Sequence, residues 1–255
     1  MSNLSTENFQ FNKQNANLSY QAVIIILHWL GCTWDEQQWA KAIILGLNHC
    51  YLPYNIRFLC PQAPTIFVAY DKEEKPAWYN IISPEDLENG ENDRGLLDSI
   101  KWIEELIKEE VDKGILPQNV FIAGISQGGS LALAIAMSSQ YELGGFVGLG
   151  SFLPYPKILK RAEKGKNKQT PIFMAHGQED KLVPYEAAQK SFQILKQNGY
   201  RQIKKPKVYP GLGHESQHFL PMIKDGLGFF EKIFQTKNLP KLIFLDPKNV
   251  VIVRK

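Results

Sequence analysis

The residues of this chain that invite chemistry are a serine, an aspartate and a histidine, met in that order. Ser126 stands in GISQGG, so that Gly124, Ser126 and Gly128 spell G-x-S-x-G. A serine that presents its hydroxyl above a sheet edge must sit on a sharp turn between strand and helix, with neighbours small enough for the two backbones to pass. Asn119 to Ala123 before it reads as a strand, and SLALAIAMSS after it as an apolar helix. The motif asks for a carboxylate and then a histidine, each on a loop after a later strand. Asp180 in HGQEDKLVP follows the strand-like IFMA. His214 in YPGLGHE follows KVY, within a loop that Gly211 and Gly213 make permissive. An imidazole titrates near neutrality, so His214 can take the Ser126 proton and return it to a leaving group. Asp180 would hold the tautomer and stabilise the imidazolium. The bland alternatives are a Ser126 that only caps a helix, an Asp180 that only favours a helix dipole, and a solvent-exposed His214.

Acyl transfer through a serine also needs two backbone N–H groups aimed at the developing oxyanion. The residue after the nucleophile, Gln127, supplies one. The loop HWLG, after the β-branched run VIIIL, is the place for the other, and Leu30 is the candidate. His176 follows a strand but precedes the acid, which makes it a local packing or hydrogen-bonding residue; His28, His49 and His218 have weaker claims. No His/Cys cluster has metal-ligand spacing, and no glycine-rich phosphate loop is present, so no cofactor is expected.

Elements that would position these groups alternate along the chain after residue 20. Val23 to Leu27 suits a central strand buried on both faces. Asn55 to Leu59 reads as a second strand, ending before PQAP. A helix from about Asp93 to Lys113 carries Leu97, Ile100, Ile103, Ile107 and Val111 on one stripe, stopped by Gly114 and Pro117. Strands are expected at Phe146 to Leu149, Ile172 to Ala175 and Lys207 to Tyr209, with helices at Tyr185 to Asn198 and Phe219 to Phe234. Such alternation builds an α/β fold, a mostly parallel sheet with helices on both faces. Nothing resembling a linker or repeat divides the 255 residues, so a single domain is expected. After Phe234 the tail holds LIFL and VVIVR around DPKN, and two readings stand: a hairpin on the sheet edge, or an oligomer contact.

Composition excludes several classes. Net charge is only +3, far from what many phosphate contacts require, so nucleic acid is not an expected partner. The densest basic stretch, Lys157 to Lys168, reads as a solvated loop, with contact to anionic lipid headgroups as the alternative. Three cysteines, an odd count without close spacing, speak against a disulfide framework. The polar first twenty residues lack a signal-peptide pattern and no run of eighteen apolar residues exists, so no membrane span is expected and the cytoplasm is the expected location.

Taken together, the ordered motifs resemble the acyl-protein thioesterase, or phospholipase/carboxylesterase, branch of the α/β-hydrolases over roughly residues 20 to 234. LHWLG (27 to 31) resembles the family's LHGLG oxyanion loop, and PQAP with PAWYNI (61 to 64 and 76 to 81) its P-x-AP and AW-[FY]-D segments. GISQGG is similar to its GFSQGG, and HGQEDKLVP and YPGLGHE match its acid and histidine motifs. The resemblance implies an α/β-hydrolase fold and a cofactor-free serine hydrolase acting on protein thioesters, lysophospholipids or small carboxylic esters, often as a homodimer. It also implies an apolar acyl groove beside the serine, for which Trp29, Ile66, Phe67, Val68 and Trp78 are candidates, with plain core packing as the alternative. Trp29 stands where the family has glycine, and Cys32, Trp34 and Asn80 also depart from its pattern. A bulky Trp29 would narrow the pocket or turn the Leu30 amide away, and loss of one oxyanion donor costs on the order of 100- to 1000-fold in turnover. The rival readings are therefore a catalytically weak protein that binds an acyl ligand or a partner, and a peptidase of the same fold. The extension 235 to 255 lies outside the resemblance.

Overall fold

In a computed structural model, residues 21–34, 56–82, 94–155, 159–160, 163–236 and 250–254 are described. Seven of the described strands form one sheet: β1 (Ala22–Leu27), β2 (Ile56–Gln62), β5 (Val120–Ile125), β6 (Gly145–Leu149), β7 (Ile172–Gly177), β8 (Lys207–Tyr209) and β9 (Val250–Arg254). Their order is β8-β7-β6-β5-β1-β2-β9, and every neighbouring pair is parallel. A separate antiparallel hairpin joins β3 (Thr65–Val68) to β4 (Glu73–Pro76). Among the described residues four helices accompany the sheet: α1 (Arg94–Asp112), α2 (Gln127–Ser138), α3 (Tyr185–Gln197) and α4 (Phe219–Thr236). This is the α/β-hydrolase arrangement, and it places β1 and β5 at the centre.

The two-residue period of a strand divides the apolar residues between two cores. On β1, Val23, Ile25 and Leu27 join Val120 and Ile122 of β5 against α1, α2 and α3. Ala22 and Ile24 turn the other way, with Phe121 and Val147, against α4. There Phe121 is edge-on to Phe230 and Phe234, at centroid distances of 5.1 and 4.7 Å. Helix α2 is buried along its whole length, which is why its sequence is apolar on every side.

The departures from expectation have local causes. On α1 the buried stripe runs through Leu96, Ile100, Ile103 and Ile107, whereas Leu97 stands at its margin, 37% exposed. Strand β2 continues past Leu59 through Pro61 to Gln62. Pairing with β1 ends at Leu59 while pairing with β9 goes on to Gln62, so Pro61 sits in a one-sided stretch where its missing N–H is tolerated. In the β3–β4 hairpin, Thr-Ile-Phe-Val of β3 is rich in β formers but Glu-Glu-Lys-Pro of β4 is not, so the pairing has no signature in its second strand; its turn is closed by the Lys72 amide on the Val68 carbonyl at 2.8 Å. Of the tail, VVIVR forms β9 parallel to β2, outermost among the described strands, and LIFL lies outside the described residues. Asn55, Asp93, His49 and Cys50 also fall outside them. Within the basic stretch, Leu159 and Asn167 are fully buried, so its described part is only partly a solvated loop.

Candidate active site

The turn that carries Ser126 is strained. Its backbone has φ 53° and ψ −120°, a region that a non-glycine residue occupies at a cost of about 1–3 kcal/mol. Closing the turn, the Ser126 amide donates to the Leu149 carbonyl of β6 at 2.8 Å, and its own carbonyl accepts from the Ser130 amide of α2 at 2.9 Å. Gly128 has no room for a side chain, because a Cβ there would lie 2.2 Å from the Leu27 carbonyl oxygen. Strand β1 and the start of α2 thus pass at a distance that only glycine permits.

Asp180 and His214 come from loops after β7 and β8, and those loops are tied together. Gln178 donates to the Tyr209 carbonyl at 3.0 Å and Glu179 to that of Leu212 at 2.9 Å. A Cβ on Gly177 would meet the Leu212 oxygen at 2.3 Å, so the acid loop can lie against the histidine loop only with glycine there. The outcome is a hydrogen-bonded relay: His214 Nε2 is 2.8 Å from Ser126 Oγ, and His214 Nδ1 is 2.6 Å from Asp180 Oδ2. Asp180 Oδ1 accepts from the amides of Leu182 and Val183 at 3.0 and 2.8 Å. Burial disfavours charge on Asp180, but the bonds from His176, His214 and the Val183 amide outweigh it and hold the carboxyl well below the usual range. The ring of Phe219 stands edge-on to His214 at 5.3 Å.

His28, given little weight from sequence, organises the candidate oxyanion loop. Its Nδ1 lies 2.7 Å from the Trp29 carbonyl oxygen and therefore carries the hydrogen. Its Nε2 accepts from the Ala63 amide at 3.0 Å and from Gln62 Nε2 at 3.1 Å. The Trp29 carbonyl also receives the Cys32 amide at 3.3 Å, across a turn in which Gly31 has φ 74°. A trans peptide sets its N–H opposite its C=O, so the Leu30 amide points away from His28. Leu30 lines the same cavity as Ser126 and Gln127. Among the described residues neither the Leu30 nor the Gln127 amide donates to another group. The Gln127 side chain is engaged elsewhere: it accepts from the Trp78 amide at 2.9 Å and donates to the Tyr79 carbonyl at 2.8 Å.

That cavity has a volume of about 430 Å³ and is bounded mainly by apolar side chains, among them Trp29, Tyr70, Ile81, Phe152, Leu182 and Phe219. Trp29 is the one predicted groove residue brought to it. Val68 and Trp78 are core residues, 0% and 1% exposed, and Phe67 stands 56% exposed on β3; none of these, nor Ile66, lines the cavity. Trp78 instead donates its indole N–H to the His28 carbonyl at 2.8 Å. The residues that do line the cavity come from the turn after β3 and from segments far apart in the chain, and no local pattern marks them. A second cavity, about 480 Å³, shares His214 and Leu182 with the first and is lined by the charged Glu179, Lys181 and Glu215. Among the described residues no group of His, Cys, Asp and Glu side chains converges on a metal position, and no helix is long and apolar enough to cross a membrane.

Known proteins resemble this chain in sequence and in fold. The sequence profile of the Phospholipase/Carboxylesterase family matches residues 11–227. Acyl-protein thioesterase 1 of Neurospora crassa is 33% identical over 233 residues, 88% of this chain and 89% of that protein. Its namesake from Saccharomyces cerevisiae is 34% identical over 194 residues, covering 76% and 85%. Among solved structures, SOBER1 of Arabidopsis thaliana superposes with a TM-score of 0.69 at 27% identity, covering 85% of this chain and 98% of that one. Acyl-protein thioesterase 2 of Zea mays gives 0.63 at 25% identity, covering 83% and 96%.

Proposed function

The chain belongs to the phospholipase/carboxylesterase family, and from that premise we propose that it hydrolyses acyl esters or thioesters through an acyl-enzyme on Ser126. The relay of Ser126, His214 and Asp180 carries this reading. Ser126 Oγ attacks the acyl carbon while its proton passes to His214 Nε2. The carbonyl electrons move onto oxygen, which the Leu30 and Gln127 amides receive. Collapse of this intermediate breaks the bond to the leaving oxygen or sulfur, which takes the proton from His214. Water then attacks the acyl-enzyme, gives a proton to His214 in turn, and releases the carboxylic acid and a restored Ser126. Asp180 stays ionised throughout and stabilises the imidazolium.

The 430 Å³ cavity takes the acyl chain, and the more polar cavity beside His214 takes the leaving group. The names of the relatives favour an S-acylated protein as the physiological substrate, with lysophospholipids and small esters as further acyl donors. The single-domain organisation over residues 1 to 255 belongs to the same reading. Trp29 is compatible with turnover, because the bond from His28 to its carbonyl orients the next amide whatever side chain Trp29 carries.

A fluorophosphonate probe and p-nitrophenyl esters of graded acyl length test the proposal. Wild type should label and turn over, and Ser126→Ala should lose labelling and on the order of 10⁶-fold in kcat. Persistent labelling in Ser126→Ala would place the nucleophile elsewhere. A folded wild type that neither labels nor hydrolyses any ester would refute the enzymatic reading.

A further inference from the structure

Asp180 Oδ2 has two imidazole neighbours. Besides His214 Nδ1 at 2.6 Å, His176 Nε2 lies 3.3 Å away. The same His176 nitrogen is 2.7 Å from the Val183 carbonyl oxygen. Both of its neighbours are acceptors, so Nε2 carries the hydrogen and divides it between them. The ring sits at the end of β7 with no solvent exposure, and its Nδ1 has no partner among the described residues. A buried histidine with one nitrogen unpaired is a poor choice for stability alone, since an apolar side chain would fill the place without burying a polar atom.

Resting on the triad reading above, we propose that His176 is a positioning residue for Asp180. The side-chain torsion of an aspartate about its last bond is broad and roughly two-fold. The two oxygens of the planar carboxylate turn together about that bond, so the Leu182 and Val183 amides restrain it at Oδ1 alone and a second point of attachment at Oδ2 stiffens it. His176 supplies that second point from outside the Ser126–His214–Asp180 chain, so Oδ2 stays in place while His214 gains and loses its proton. The same N–H draws charge from Oδ2 and so moderates its pull on the His214 imidazolium. Other titratable groups around the pair are Tyr185 on α3, Glu179 and Lys181 on the acid loop, and Glu215 and His218 beyond His214. None of these hydrogen-bonds to Asp180 among the described residues.

The test uses the full chain with His176→Leu and His176→Gln beside Ser126→Ala. It measures kcat, KM and the pH profile of kcat/KM on a p-nitrophenyl ester. Leucine removes the donor at similar volume, whereas the glutamine amide reaches the position of Nε2. His176→Leu should lose on the order of 10- to 100-fold in kcat with KM little changed. Its acid limb should move to higher pH, because the undivided Oδ2 charge stabilises the protonated His214. His176→Gln should recover most of both. Wild-type kcat and acid limb in both variants, with Ser126→Ala inactive, would overturn the role of His176 and leave the triad standing. Full turnover in Ser126→Ala would bring down the triad reading and this one with it. If His176→Leu does not fold, His176→Asn, whose amide falls short of Asp180, replaces it against His176→Gln with the same outcomes.

Discussion

At the scale of single residues, the buried His28 beside the relay illustrates how protonation and structure are linked. Burial pushes the His28 ring down to about 4, against the opposing bond to the Trp29 carbonyl. Below its ordinary value of about 6.5, the unfolded chain takes up a proton that the folded chain refuses. Stability from this group is therefore complete above pH 6.5, declines as pH falls toward 4, and is constant below. Two and a half pH units correspond to about 3 kcal/mol. Urea unfolding should show this decline between pH 7 and pH 4, and His28→Gln, whatever its baseline stability, should lack that portion of the slope. Asp180 acts in a separate window: its carboxyl is held low, so its contribution is present above the usual carboxylate range and disappears only on further acidification. From sequence, Ser126, Asp180 and His214 were legible because order and strand-end placement define them. His28 and His176 were not, since each works through a carbonyl or carboxylate that only the folded backbone brings near: Ala63 to His28, and Val183 and Asp180 to His176.

At the scale of elements, the start of α2 is clamped to the segment between β4 and α1. The Gln127 side chain satisfies both the Trp78 amide and the Tyr79 carbonyl, and Ser99 of α1 donates to the Trp78 carbonyl. All of these groups are buried. Gln127→Leu leaves one buried donor and one buried acceptor without partners, each worth about 1–3 kcal/mol. The expected destabilisation is about 2–6 kcal/mol by urea unfolding, together with a fall in kcat as the Gln127 amide loses its fixed direction. Wild-type stability would show that water or repacking replaces the clamp. The main strands and helices were readable because periodicity and caps are local signals. The β3–β4 hairpin was not: its register depends on ties such as the Gly31 amide to the Pro76 carbonyl at 2.7 Å, which join it to the loop after β1.

For the molecule as a whole, β9 completes the sheet from beyond the family-matched span of residues 11–227. Val251 and Val253 pack on one core and Val250 and Ile252 on the other. Val251→Asp should destabilise the protein by about 1–3 kcal/mol through burial of an unpaired polar group, read from urea unfolding, while kcat on a p-nitrophenyl ester stays at the wild-type value. A loss of kcat as large as the loss of stability would mean that the edge communicates with the site. Sequence patterns anticipated a β-forming run here but left its neighbour open, because parallel pairing of Phe58 with Val250 joins positions at opposite ends of the chain. That separation bears on how the protein is made. Contacts so distant in sequence form slowly, since the chain must close a long loop before the pairing rewards it. Strands β1, β2 and β5 can assemble first, and until β9 arrives the outer edge of β2, with Phe58, Leu59 and Cys60, is an open template for strands of other chains. Yield on refolding should therefore fall steeply with protein concentration, because the strand that covers this edge lies so far from β2 in sequence.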